Sequence, residues 1–140
     1  FACGRISEEA QRLLDTTREC FFRGAEHAVP GARLGDIGAA VEEHAEKNGY
    51  GVVRDFVGHG VGRNVHESPD VPNYGKAGHG LRLREGMVIA IEPMINAGTY
   101  KVRTLDDGWT VCTLDGALSS HYEHTVAVTD DGPILLTKVD

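Results

Sequence analysis

The chain has 140 residues, 41% of them hydrophobic, which is enough for one globular domain with a real core (residues 1–140) and too short to presume two. A formal charge of -7 and a pI near 5.4 argue against a nucleic-acid partner held by phosphate contacts, since those need a basic surface. No apolar run approaches membrane-spanning length, nothing at the amino end resembles a signal peptide, and the odd set Cys3, Cys20 and Cys112 contains no C-x-x-C pair. Neither a membrane partner, a disulfide framework nor a structural zinc cluster is therefore expected, and a reducing cytoplasm fits best.

The first segment, about 6–28, carries Ala10, Leu13, Leu14, Phe21 and Ala25 at a spacing that keeps one helical face dry. Ser7 is its expected N-cap, Glu8 and Glu9 suit the positive end of the helix dipole, and Pro30-Gly31 ends the element. A second helix is expected over 34–47, with Ile37, Val41 and Ala45 buried and Asn48-Gly49 as the stop. After Tyr50 the pattern turns to short β-type runs. A strand is expected over 52–57, then a stretch rich in glycine and histidine, then a loop over 68–80 with Pro69, Pro72, Gly75, Gly78 and Gly80. Residues 87–94 are the most apolar strand. Shorter strands at 99–103 and 109–114 flank the Asp106-Asp107-Gly108 turn, and Asp115-Gly116 is a hairpin signal before the run to Val128. A last strand is expected near 134–136. Two helices followed by a mostly antiparallel sheet give an α+β fold with the helices on one face.

The chemistry gathers at Gly58-His59-Gly60-Val61-Gly62, followed by His66-Glu67. The glycines can take positive φ or admit a ligand closely, and histidine binds transition metals or moves protons near neutral pH. A phosphate loop would need Gly-Lys-Ser/Thr where Arg63-Asn64 stand, and Pro69 forbids the helix that a dinucleotide fingerprint requires. Glu92 closes the apolar run 87–91, and Glu123 precedes the strand-like run 124–128. A carboxylate at the end of an apolar strand is costly to desolvate unless a cation meets it. His59, His66, Glu92 and Glu123 together read as part of a hydrolytic metal site. Taken singly, a histidine reads first as a core or surface residue and Glu92 as a strand end turned to water; the glycine-flanked pair brings the two readings of the histidines level. His79 and His121 could approach the same site; His27 and His44 read as structural, and alternation points His124 to the face opposite Glu123.

Gly58-His59-Gly60-Val61-Gly62 with His66-Glu67 and Pro69, then Gly86-Met87 leading to Ile91-Glu92-Pro93-Met94, then Asp107-Gly108-Trp109-Thr110, then Tyr122-Glu123-His124-Thr125, together resemble a type I methionine aminopeptidase over nearly the whole chain. Prolidases and aminopeptidase P enzymes share the fold and the His/Glu ligands, but the Glu-Pro-Met and Asp-Gly-Trp-Thr strings favour the methionine enzymes. The resemblance implies the pita-bread fold and a two-metal peptidase that removes the initiator methionine from nascent proteins. It implies that His59 and Glu92 ligate one ion and that Glu123 bridges both. His66 would serve as a proton or hydrogen-bond donor at the scissile carbonyl, Glu92 also as a proton shuttle, and Val65, His66 and Trp109 as substrate contacts. The ions would be two divalent cations, with manganese, iron, cobalt and zinc all suited to such ligands.

The pattern also departs from that family. Its site needs two further aspartates and a second catalytic histidine, carried by an upstream half. Asp36, Asp55 and Asp70 have ordinary turn or surface readings, and Val65 stands where many members have an aromatic residue. The expectation is the carboxyl-terminal half of a pseudo-symmetric enzyme, poorly active without the upstream half that carries the two Asp ligands. The alternatives are a non-catalytic pita-bread domain that binds peptides, and a prolidase-type X-Pro peptidase.

Overall fold

The computed structural model describes residues 1–139. Helix α1 spans Glu8–Ala25 and starts where expected, with Ser7 Oγ accepting from the Ala10 amide at 3.1 Å. It ends earlier than the apolar spacing suggests, because His27 and Ala28 bond back to the Gly24 and Ala25 carbonyls in a tighter turn. Helix α2, Leu34–Lys47, has the expected bounds. The Asp36 carboxylate caps it, accepting from the Arg33 amide at 2.7 Å and from the Gly78 amide at 2.6 Å. The two helices pack closely at Gly24, where a Cβ would stand 2.7 Å from a Val41 methyl.

Ten short strands follow: β1 Gly51–Val52, β2 Gly58–Gly60, β3 Glu67–Val71, β4 Val88–Ile91, β5 Met94–Asn96, β6 Val102–Thr104, β7 Val111–Thr113, β8 Ser119–His121, β9 His124–Thr129 and β10 Gly132–Leu135. They form a five-stranded sheet in the order β10-β9-β4-β2-β3, a three-stranded sheet in the order β1-β5-β8, and a β6-β7 hairpin, all antiparallel. Phe21 and Ile37 from the helices are buried against Ile89, Ile91, Val126 and Val128 of the larger sheet. A second cluster joins Leu13, Cys20, Val41 and Ala45 to Val52 and Ile95 of the smaller one. The α+β reading, with helices on one side of antiparallel sheet, is the observed fold.

Four local expectations differ. The strand expected at 52–57 pairs only through Val52, and residues 53–57 run outside any ladder. The loop expected at 68–80 begins as β3, an edge strand, where a proline can sit without removing a needed ladder bond. The Asp115-Gly116 turn does not close a hairpin: β7 pairs back with β6, and β8 crosses to β5. The apolar run 87–94 is two strands in two sheets, broken at Glu92-Pro93.

That break builds the site. Ile91 is paired with His124 and Met94 with His121, so Glu92 and Pro93 stand opposite Tyr122 and Glu123, between the two ladders. Pro93 has no amide to donate, and its carbonyl accepts from the Tyr122 amide at 3.3 Å. Both chains change sheets at the same place, which frees the two glutamates to face a common space.

Candidate metal centre

His59 sits in the middle of β2, opposite Ala90 of β4. The three glycines around it are not there for positive φ, which none of Gly58, Gly60 and Gly62 adopts. Instead the Ala90 carbonyl abuts the space where a Gly58 Cβ would be, and the Ser68 carbonyl does the same at Gly60. Close approach of neighbouring strands, rather than of a ligand, demands glycine at these two positions.

His59 Nδ1 lies 2.9 Å from the Gly60 carbonyl oxygen, which can only accept. Nδ1 therefore carries a proton, and the other ring nitrogen is left to face the glutamates, the arrangement that orients a metal-binding imidazole. His59 Nε2 is 3.5 Å from Glu92 Oε1. With Glu123 these residues bring one ligand atom each within 4.8 Å of one another. A neutral Nε2 would turn its lone pair on a carboxylate that is only 16% exposed, a repulsive contact that a cation between them relieves. One imidazole nitrogen with two carboxylates is a donor set for a divalent transition metal. The residues present thus fit such an ion.

His66 stacks beside His59, ring centroids 4.2 Å apart and planes tilted by 47°. Both line a cavity of about 490 Å³ whose other walls include Phe56, Val57, Met94 and Val111. Glu92 lies at its polar end, so the cavity is apolar with a few convergent polar groups, the usual character of a ligand site. His121 belongs here as well. Its Nε2 is 3.4 Å from Glu92 Oε2 and 3.9 Å from Glu123 Oε2, and the Glu92 carboxylate pushes its pKa above the ordinary imidazole value against the opposing effect of burial. His121 and Glu123 are two residues apart, and that parity is the signal that could have singled it out beforehand.

The remaining sequence candidates lie apart. Val65 is 71% and Trp109 87% exposed, and neither lines the cavity. His79 contacts the Ala77 carbonyl in its own loop, and His44 pairs with Glu19 between the helices at 2.9 Å. His124 turns away from Glu123, as alternation predicts, and packs against Phe21 and Tyr122. Asp36 is a helix cap.

Residues 1–130 match the sequence profile of metallopeptidase family M24. The chain belongs to that family. A Clostridium perfringens protein named methionine aminopeptidase is 57% identical over 139 residues, which are 99% of this chain and 56% of that one. The crystal structure of methionine aminopeptidase from Rickettsia prowazekii superposes with a TM-score of 0.94 at 48% identity, covering 96% of this chain and 55% of the other. Prolidase from Pyrococcus furiosus has the same fold at greater distance: TM-score 0.73, 28% identity, all of this chain and 36% of that one. This M24 chain thus spans just over half the length of the methionine aminopeptidases it matches. M24 membership carries an expectation of divalent metal, which the geometry around His59 accommodates. Among the described residues no helix is long and apolar enough to cross a membrane.

Proposed function

We propose that residues 1–140 form one domain, the carboxyl-terminal half of a cytoplasmic, dinuclear-metal aminopeptidase that removes amino-terminal methionine from nascent proteins. In this reading an upstream segment supplies two aspartate ligands and a further histidine. The observation that carries it is the His59 imidazole, held through Nδ1 by the Gly60 carbonyl so that Nε2 meets Glu92 in the lining of an apolar cavity. What supports the choice of substrate is the 57% identity to a methionine aminopeptidase, against 28% to a prolidase.

His59, Glu92 and Glu123 would hold the ions. Divalent cations bound there would supply an acidified water and an electrophile for the scissile carbonyl. His66, packed on His59 and open to the cavity, donates a hydrogen bond to the carbonyl oxygen as it gains negative charge. Glu92 accepts and returns a proton from its place between His59 and His121. Phe56, Val57 and Met94 exclude water around an unbranched apolar side chain such as that of methionine. Val65, next to His66, and Trp109, two residues from the lining residue Val111, lie outside the cavity and would meet only the part of a peptide that extends beyond it.

The test is calorimetric titration with Mn²⁺, Fe²⁺, Co²⁺ and Zn²⁺, together with hydrolysis of Met-Ala-Ser, on a preparation that includes the upstream half, with His59 intact and as His59→Ala. Uptake of metal and release of methionine, both abolished by the substitution, are expected. Preferred hydrolysis of X-Pro peptides would move the reading to a prolidase. Peptide binding with no metal uptake would make it a non-catalytic domain.

A further inference from the structure

Residues 53–57 build one wall of the cavity through Val53, Phe56 and Val57, yet they lie between β1 and β2 and outside both ladders. The Val53 amide donates to the Met94 carbonyl at 3.0 Å and anchors one end; beyond it a set of side-chain contacts converges on Arg54. Its guanidinium carbon lies 4.8 Å from the ring centroid of Tyr100 and 5.3 Å from that of Tyr74. Its Nη2 donates to Glu42 Oε1 on α2 at 3.0 Å, and the second Glu42 oxygen accepts from the Gly75 amide at 3.1 Å. The Tyr74 hydroxyl donates in turn to the Arg54 carbonyl at 3.4 Å. Next to Tyr74, the fully buried Asn73 donates its amide to the main-chain carbonyl of Glu92 at 3.2 Å. One cation thus ties the apolar wall to the loop that also holds the Glu92 backbone.

We propose that Arg54 is a positioning residue that fixes the apolar wall of the site and so tunes which side chain the cavity accepts, without touching substrate. Arg54 does not line the cavity. Its side chain is 47% exposed, and an ion pair in such a setting contributes little to global stability. Its effect is local. The planar guanidinium can stack on two rings while bonding a carboxylate, and an ammonium cannot do all three as well, so lysine is a partial substitute.

The selectivity part of this inference rests on the peptidase reading; the hold on residues 53–57 does not. Arg54→Ala and Arg54→Lys are compared with the unsubstituted protein, each in a preparation that includes the upstream half, by amide hydrogen exchange, urea denaturation, Mn²⁺ titration and Met-Ala-Ser hydrolysis. Exchange over 53–57 is expected to rise at least fivefold in Arg54→Ala and less in Arg54→Lys, with the urea midpoint unchanged and the Mn²⁺ affinity within twofold. The KM is expected to rise at least fivefold with kcat within twofold. Exchange unchanged over 53–57, or raised evenly along the chain, overturns the proposal. A KM that stays put while local exchange rises overturns the selectivity role. An unsubstituted protein that neither binds Mn²⁺ nor cleaves the peptide overturns the peptidase reading, and the exchange data still decide whether Arg54 holds the wall.

Discussion

Cys3 and Cys20 carry the same thiol in opposite surroundings. Cys20 is fully buried between the helices and the smaller sheet, and desolvation, with a lesser contribution from Glu19, pushes its pKa from 9.0 up to about 12. Cys3 is exposed and Cys112 half-buried. The thiolate is the reactive form, so three pH units of suppression slow Cys20 roughly a thousandfold through ionisation alone, before steric exclusion. Iodoacetamide at pH 8 should therefore label Cys3 first, Cys112 more slowly and Cys20 only after denaturation, as read by peptide mass spectrometry. The sign of the linkage follows: below pH 9 the thiol is neutral in both states, and as the pH rises from 9 towards 12 the unfolded chain ionises first and stability is lost. Rapid labelling of Cys20 in the native protein would mean that α1 does not pack as described.

Two elements, β2 in the site and α2 beside it, can each be tested by a single change. Gly58→Ala would set a Cβ against the Ala90 carbonyl, and neither backbone can yield without shifting β2 relative to β4. The expected cost is about 1–3 kcal/mol in urea denaturation, with Mn²⁺ uptake lost because His59 moves with the strand. Asp36 holds the start of α2, and its carboxylate sits below the ordinary range because the Gly78 and Arg33 amides bond its charged form. A lowered folded pKa contributes stability that is present above the unfolded value and lost as the pH falls through the folded one. Asp36→Ala should thus cost on the order of 1 kcal/mol at pH 7, a difference that narrows below about pH 4. Urea midpoints of both proteins at pH 7 and pH 3 measure it; an equal gap at the two pH values would sink the argument. These elements also mark what the sequence could reveal. Both helices were legible because a dry face repeats over more than three turns, and Glu92 because a carboxylate interrupts an apolar run. His121 was read only as able to approach the site, since β8 is three residues long and mostly polar, which makes its parity with Glu123 a weak signal. A stop at Glu92-Pro93 could be read, but not the change of sheet across it, because a run apolar on both sides reads the same in one sheet as across two, and only the pairing with β9 and β8 distinguishes them.

At the scale of the whole molecule the candidate centre is a local electrostatic conflict placed where the two sheets meet. Glu92 and Glu123 share one space, and the side chain that meets both of them is His121, 3.4 Å from one and 3.9 Å from the other. A protein with a formal charge of -7 has little spare positive charge to offer elsewhere. A divalent ion bound there would relieve that conflict in the folded state and find no such constellation in the unfolded chain, so binding and folding are coupled. Ligand at a hundredfold excess over its Kd stabilises the native state by about 2.7 kcal/mol. In a chain of this size that is a rise in Tm of roughly 5–15 °C. Thermal denaturation of the purified protein with Mn²⁺ should show this shift, and EDTA should reverse it. Glu123→Gln should reduce it strongly, since one of the three donors loses its charge, while leaving the metal-free Tm unchanged or slightly raised as the repulsion with Glu92 falls. A Mn²⁺ shift of the same size in Glu123→Gln would place the ion somewhere other than between His59, Glu92 and Glu123.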